Sequence, residues 1–234
     1  MKKRFLTVAV LTVLATGLAG CSFSFGTGSN ASTAKPVAAN APAANNNSAS
    51  TAKTDSAAKP ALTNEKKPDG NAKTANRKNP VPANWVYVYD ENKGYGFSLP
   101  EGSRGEVEKI EGIDVMSATT PAPSEVDIFV LSYTDETLTK EDLLDDAVKF
   151  LEGLGQKVTP GKLNAESEEY AVADATSEHP TRGKGKLRIL VGTDITDNYV
   201  MIIGTEEAKF AANESIIDAI WGSFEMWSGG GSSQ

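Results

Sequence analysis

The residues able to do chemistry in this chain are few and scattered. It has one cysteine, Cys21, and one histidine, His179. A lone histidine makes no His-based zinc site, and a lone cysteine has no disulfide partner within the chain. A Ser-His-Asp triad needs a nucleophile held at a strained turn, and no Gly-x-Ser-x-Gly occurs. His179 is therefore expected in an exposed loop. Gly155 to Leu163 superficially resembles a phosphate-binding loop around Gly161-Lys162. Its spacing is one residue too long, and Leu163 stands where Ser or Thr should hold magnesium. Glu141, Asp142, Asp145 and Asp146 lack the intervening Gly and terminal Glu of a calcium loop, and are expected on a solvated helix face. Paired-carboxylate hydrolysis needs two acids across a cleft, and no pair stands out. The expectation is a chain with no catalytic residues, no metal site and no cofactor, and so not an enzyme.

One basic cluster interrupts an acidic region. Arg182, Lys184, Lys186 and Arg188 fall within seven residues, with glycines between them that let a backbone approach a ligand closely. A phosphate, a carboxylate or an acidic partner could dock on them, which makes the four the candidate binding residues. The alternative is a mobile hairpin tip whose charge deters edge pairing.

The elements that place these residues begin with an export signal. Lys2, Lys3 and Arg4 precede an apolar stretch, Phe5 to Leu14, and small residues follow up to Gly20. The stretch is short of the roughly 20 residues that span a membrane. Leu18-Ala19-Gly20-Cys21 closes it and resembles the lipobox of bacterial lipoproteins. That resemblance implies cleavage before Cys21 and a diacylglycerol on its sulfur. The chain would then be a lipoprotein of the bacterial cell envelope, extracytoplasmic and held to the membrane through Cys21. Two or more acyl chains hold firmly, since each buried methylene contributes about 0.8 kcal/mol. Ser22, rather than Asp, follows the cysteine, which implies the outer membrane if the source is Gram-negative.

Residues 21–80 are Ala, Asn, Ser, Thr, Lys and Pro, with few large apolar side chains. Such a stretch cannot bury enough surface to offset its ordering entropy, and a disordered tether is expected. Its root-mean-square reach is about 40 Å, from roughly 5–6 Å times the square root of length. It has eight Lys or Arg and three acids, a net +5, whereas residues 81–234 have twelve and twenty-eight, a net −16. The basic tether suits anionic lipid. The acidic domain is a poor nucleic-acid binder, because phosphate contact needs positive surface.

Residues 81–227 hold nearly all the remaining large apolar side chains, enough for one core. Trp85 to Tyr89 and Gly96 to Pro100 read as a hairpin around Asn92-Lys93-Gly94. Strands are expected over 113–118 and 126–133, the second apolar on both faces. Thr139 and Asp142 make a capping box, and Leu143, Leu144, Ala147, Val148, Leu151 and Leu154 form a helical stripe stopped by Gly153 and Gly155. Strands follow over 157–163, 169–176, 185–192 and 199–204. A last helix carries Ile216, Ile217, Ile220, Trp221 and Phe224, with Asn213 as its cap. Residues 228–234 are a flexible Gly/Ser tail. Trp85, Tyr87, Tyr89, Trp221 and Trp227 come from the two ends of this region and are expected to meet in one aromatic cluster.

The hairpin Tyr89, Gly94 to Pro100, the mid-domain helix and the closing Ile216-Ile217…Ser223-Phe224 helix resemble the PsbP-like superfamily over roughly residues 85–227. The fold class this implies is α+β, an antiparallel sheet flanked by helices in an α/β/α sandwich. It also implies a domain that binds other proteins or assists their assembly. The expected function is a non-catalytic, lipid-anchored module whose partner is another envelope protein. The alternative is a receptor for a small ligand or divalent cation, with an envelope hydrolase third.

Overall fold

The computed structural model describes residues 59–68, 72–75, 80–110, 113–133, 137–194 and 197–227. The expected signal segment, Cys21, the expected tether to residue 58 and the expected tail 228–234 lie outside the described residues. Among these residues, the strands are β1 (Lys73–Thr74), β2 (Val86–Asp90), β3 (Tyr95–Leu99), β4 (Arg104–Ile110), β5 (Ile113–Thr119) and β6 (Asp127–Tyr133). Helix α1 (Lys140–Gly153) follows, then β7 (Lys157–Pro160), β8 (Asn164–Ala165), β9 (Tyr170–His179), β10 (Gly183–Asp194) and β11 (Asp197–Glu206). Helix α2 (Glu207–Gly222) and β12 (Glu225–Met226) close the domain. The larger sheet runs β4-β5-β6-β11-β10-β9-β7, with β8 also on β9; the smaller runs β1-β12-β3-β2. Every pairing is antiparallel.

Period-two alternation explains how the larger sheet is buried. Met116, Val130, Met201, Leu190 and Val172 line up across five strands and join Ile217, Ile220, Phe224 and the small sheet's Phe97 and Met226 in one core cluster. One residue along, Val115, Leu131, Val200, Val191 and Ala171 make a second buried row that points the other way. Phe129 belongs to that second face and meets Phe150 of α1 with ring centres 5.4 Å apart. Apolar residues at consecutive positions of β6 follow from its central place in the sheet. Phe224 is fully buried and lies within 6.2 Å of Tyr95, Phe97, Tyr170 and Tyr199. Such ring pairs add about 0.5–1.5 kcal/mol each beyond the area they bury.

Helix α1 starts as its sequence prescribes. Asp142 N donates to Thr139 Oγ1 at 3.1 Å, while Thr139 N donates to Asp142 Oδ2 at 3.0 Å. The Thr139 hydroxyl first and its backbone N–H second, both donating to Asp142 Oδ2, hold that carboxyl below its ordinary range. The helix ends before Gly155, whose φ of +81° suits glycine.

Four readings are corrected. Asn213 does not cap α2, which begins at Glu207. It is buried inside the helix, and its side-chain amide donates to Ser124 O at 2.8 Å. A loop far away in sequence satisfies a polar group that looked like a terminus signal. Strand β4 was not expected, because its charged residues interrupt its two large apolar ones, Val107, which is 61% exposed, and Ile110. An outer strand needs no apolar face. The hairpin tip is shorter than expected: the turn occupies only residues 180–182, so His179 ends β9 and Lys184 joins Lys186 and Arg188, expected on the strand 185–192, in β10. Finally, residues 59–68 and 72–75, assigned by composition to the tether, lie against the domain.

Candidate functional site

Residues 59–68 and 72–75 form a strap along the open edges of both sheets. Leu62 N donates to Ser103 O (2.9 Å) and Gly105 N to Pro60 O (3.0 Å), beside the outer strand β4. Glu65 N donates to Tyr87 O (2.8 Å), and Tyr87 N to Asn64 Oδ1 (2.8 Å), along the outer strand β2. At the far side, Lys73 and Thr74 pair with Met226 and Glu225, and Ala75 N donates to Phe224 O at 2.9 Å. Backbone groups that an edge leaves open are thus satisfied by a segment with almost no apolar side chains.

Three strap lysines meet acids or hydroxyls of the domain. Lys59 Nζ donates to Ser117 Oγ (2.8 Å) and lies 3.4 Å from Glu106. Lys73 Nζ lies 2.8 Å from Asp194, which is buried, and 3.7 Å from Glu169. The Asp194 hydrogen bond raises the Lys73 ammonium above its ordinary value, against a smaller cost of burial. Lys67 Nζ reaches Glu225 Oε1 at 2.5 Å, and Glu225 is only 3% exposed.

Between strap and small sheet lies a cavity of about 620 Å³, lined by Asn64, Lys67, Tyr87, Ser98, Ser223 and Glu225 among others. Tyr87 donates its hydroxyl to Glu225 Oε2 at 3.4 Å, and burial followed by the Glu225 charge pushes that phenol well above its ordinary value. The Tyr87 ring can lie flat here only because β3 has a glycine beneath it. A Cβ on Gly96 would sit 2.2 Å from the Tyr87 oxygen. Trp227 meets Tyr87 and Tyr89 edge-on at 6.4 and 5.4 Å. Of the five aromatics expected to meet, Tyr87, Tyr89 and Trp227 do, whereas Trp221 and Trp85 pack at the core cluster.

The four basic candidates have separate environments. Arg188 donates from Nε to Asp174 (2.9 Å) and from its guanidinium to Asp218, which also accepts from Trp221 Nε1 at 3.0 Å. Burial opposes its charge, but the two carboxylates outweigh that and raise its pKa. Arg188 and Lys186 both lie over the Phe210 ring, at 5.9 and 5.7 Å, so they secure α2 to the sheet. Lys184 is exposed. Arg182 sits in the turn beside His179, whose Nδ1 lies 3.1 Å from the Thr181 hydroxyl. Cys21 lies outside the described residues. No group of three or more potential metal ligands occurs among them, and no described helix is long and apolar enough to cross a membrane.

Asp127 completes the picture. It is buried, accepts from Thr119 Oγ1 at 2.8 Å, and desolvation pushes its carboxyl up to about 7. The Thr119 bond and the charges of Lys59 and Arg182 act in the opposite sense. Sequence reasoning missed Asp127, Glu225 and Lys67. A lone acid inside an apolar strand was the available signal for the first.

No family model and no curated protein matches this chain. Among solved structures it is similar to the solution structure of cyanobacterial PsbP (CyanoP) from Synechocystis sp. PCC 6803, at 16% identity. That likeness covers 63% of this chain and 95% of the other, with a TM-score of 0.49. What the strands and helices define directly is an α+β domain, mostly antiparallel sheet with two helices.

Proposed function

We propose that this chain is a lipid-anchored protein of the bacterial cell envelope whose non-catalytic, PsbP-like α/β/α domain binds or helps assemble another envelope protein. The anchor rests on Leu18-Ala19-Gly20-Cys21 behind a short apolar run. The sandwich arrangement is supported by the two buried rows that face opposite ways, one toward α2 and the small sheet, the other toward α1. The observation that carries the binding role is the strap. The outer side of the small sheet holds an extended segment by edge hydrogen bonds, aromatic rings and buried acids, which is the chemistry of peptide recognition. A second reading, a receptor for a small ligand or divalent cation, is favoured by the cavity beside Glu225.

In-cell crosslinking of the full lipoprotein, followed by mass spectrometry, tests the leading reading. One reproducible partner, lost on deleting 81–227 and kept when the segment 22–58 is shortened, is the expected result. No specific partner would overturn it and move weight to the ligand reading, to be followed by thermal-shift titrations with divalent cations and small anions. Cys21→Ser tests the anchor: the protein should move from the detergent-extracted membrane fraction to the soluble one.

A further inference from the structure

Lys67 occupies its place as a ligand occupies a receptor. Its ammonium lies 2.5 Å from Glu225 Oε1, 6.0 Å from the Tyr87 ring centre and 5.9 Å from that of Trp227. The two rings are inclined at 81°, so two aromatic surfaces and one carboxylate converge on a single cation. The sheet side of this arrangement is fixed without the lysine. Glu225 is paired with Gly96, Tyr87 with Ser98, and Trp227 N donates to Gly94 O at 2.8 Å. The Glu225 side chain is 5% exposed, whereas that of Lys67 is 50% exposed. Trp227 is 8% exposed, and its Nε1–H is buried without a hydrogen-bond partner.

We propose that Glu225, Tyr87 and Trp227 form a receptor for the ammonium of a lysine on an extended segment, filled in cis by Lys67, which a lysine-bearing segment of a partner protein enters by displacing the strap. This rests on the protein-binding reading above and names the chemistry of the partner. The segment is extended because the strap that now fills the place is. It borrows hydrogen bonds from the β2 edge at Tyr87 and the β12 edge at Glu225 and Met226. A second lysine six positions on has its own acid, Asp194, as Lys73 does. Displacement is feasible because β1 is two residues long, and the segment is held mainly by half-exposed charges and edge bonds. Segments of that kind open at the low end of a protein's local stabilities. The cis strap competes at the millimolar effective concentration of a short linker, so the receptor is masked until a partner outcompetes it.

The probe is a fluorescent synthetic peptide with the sequence of residues 59–75, added in trans to the full chain in detergent. It should bind the wild type weakly. It should bind the Lys67→Ala, Lys73→Ala protein at least tenfold more tightly, with a change in tryptophan emission. The Lys67 side chain is 50% exposed and that of Lys73 38%, and circular dichroism checks that the doubly substituted protein keeps its fold. The same peptide with alanine at both lysines should lose the gain. So should the lysine peptide when Glu225→Gln is added to the protein or, if that variant does not fold, Tyr87→Leu. Binding no tighter than to wild type, equal binding of the alanine peptide, or indifference to both receptor substitutions would each overturn the proposal. In cells, a partner crosslinked equally well to the Glu225→Gln protein would overturn the lysine receptor and leave the protein-binding reading standing. A chain that recovers no partner would overturn that reading, while the peptide titration still decides the receptor.

Discussion

The β9–β10 hairpin and the strap carry similar clusters of positive charge and use them differently. On the hairpin, Arg188 and Lys186 turn inward over Phe210, and Arg188 is matched by acids from β9 and α2. Their charges hold one helix to one sheet. The strap's lysines instead reach acids more than a hundred positions away, Lys67 to Glu225 and Lys73 to Asp194. The lesson is that a basic cluster in a sequence does not announce a binding surface. What matters is whether the matching acids are packed by the same elements that carry the cations. Where they are, the charge is structural. Where a separate segment supplies the cation, the contact can be exchanged.

The largest expected effect removes what both regions stand on. Phe224→Ala should cost about 3–5 kcal/mol, because it empties the ring cluster between α2, the larger sheet and the small one. Urea unfolding should show one cooperative loss, and separate transitions for hairpin and strap would break the idea of a shared core. Arg188→Ala comes next, at about 2 kcal/mol, between the value of an exposed pair and that of a buried one. Arg188→Lys should recover little of it, since one ammonium cannot serve two carboxylates and cover Phe210 as the guanidinium does. Full recovery in a thermal melt would return the hairpin to the class of exchangeable charge.

Asp127 is where the two regions converge, since both Lys59 and Arg182 bear on its charge. Its carboxyl is raised in the folded state, so the fold binds this proton more tightly than the unfolded chain does. The contribution is fully present below about pH 4 and declines as pH rises toward 7, at up to about 1.4 kcal/mol per pH unit. Asp127→Asn should flatten that part of the stability profile and raise stability at pH 8. An unchanged profile in chemical denaturation between pH 4 and 8 would count against the buried carboxyl. The smallest effect belongs to Lys184→Ala, within about 0.5 kcal/mol, because this cation is exposed. If it instead abolished partner recovery, the hairpin rather than the strap would be the interface.

Much of the scaffold was legible from local pattern. The Thr139–Asp142 box, the two-faced strand at 126–133 and the turn at Asn92-Lys93-Gly94 all depend on neighbours a few residues apart, which a sequence displays. The meeting of Tyr87 and Tyr89 with Trp227 was legible too, since terminal elements often close on one another. Strand β4 was hidden because an edge strand does not need the alternation that betrays an inner one. Asn213 misled because a capping residue and a buried amide are the same residue type, and only the position of Ser124 tells them apart.

The sequence by itself determined the inner strands and the presence of two helices, where the charge lies, and the short apolar run that ends at a lone cysteine. Only the tertiary structure decided that the end of a polar, alanine-rich stretch is strapped to the domain, and that Lys67 meets an acid 158 positions away. The physical reason is range. Propensity, capping and periodicity act within a few residues, whereas a buried carboxylate selects its partner through space, after the sheet that buries it has formed.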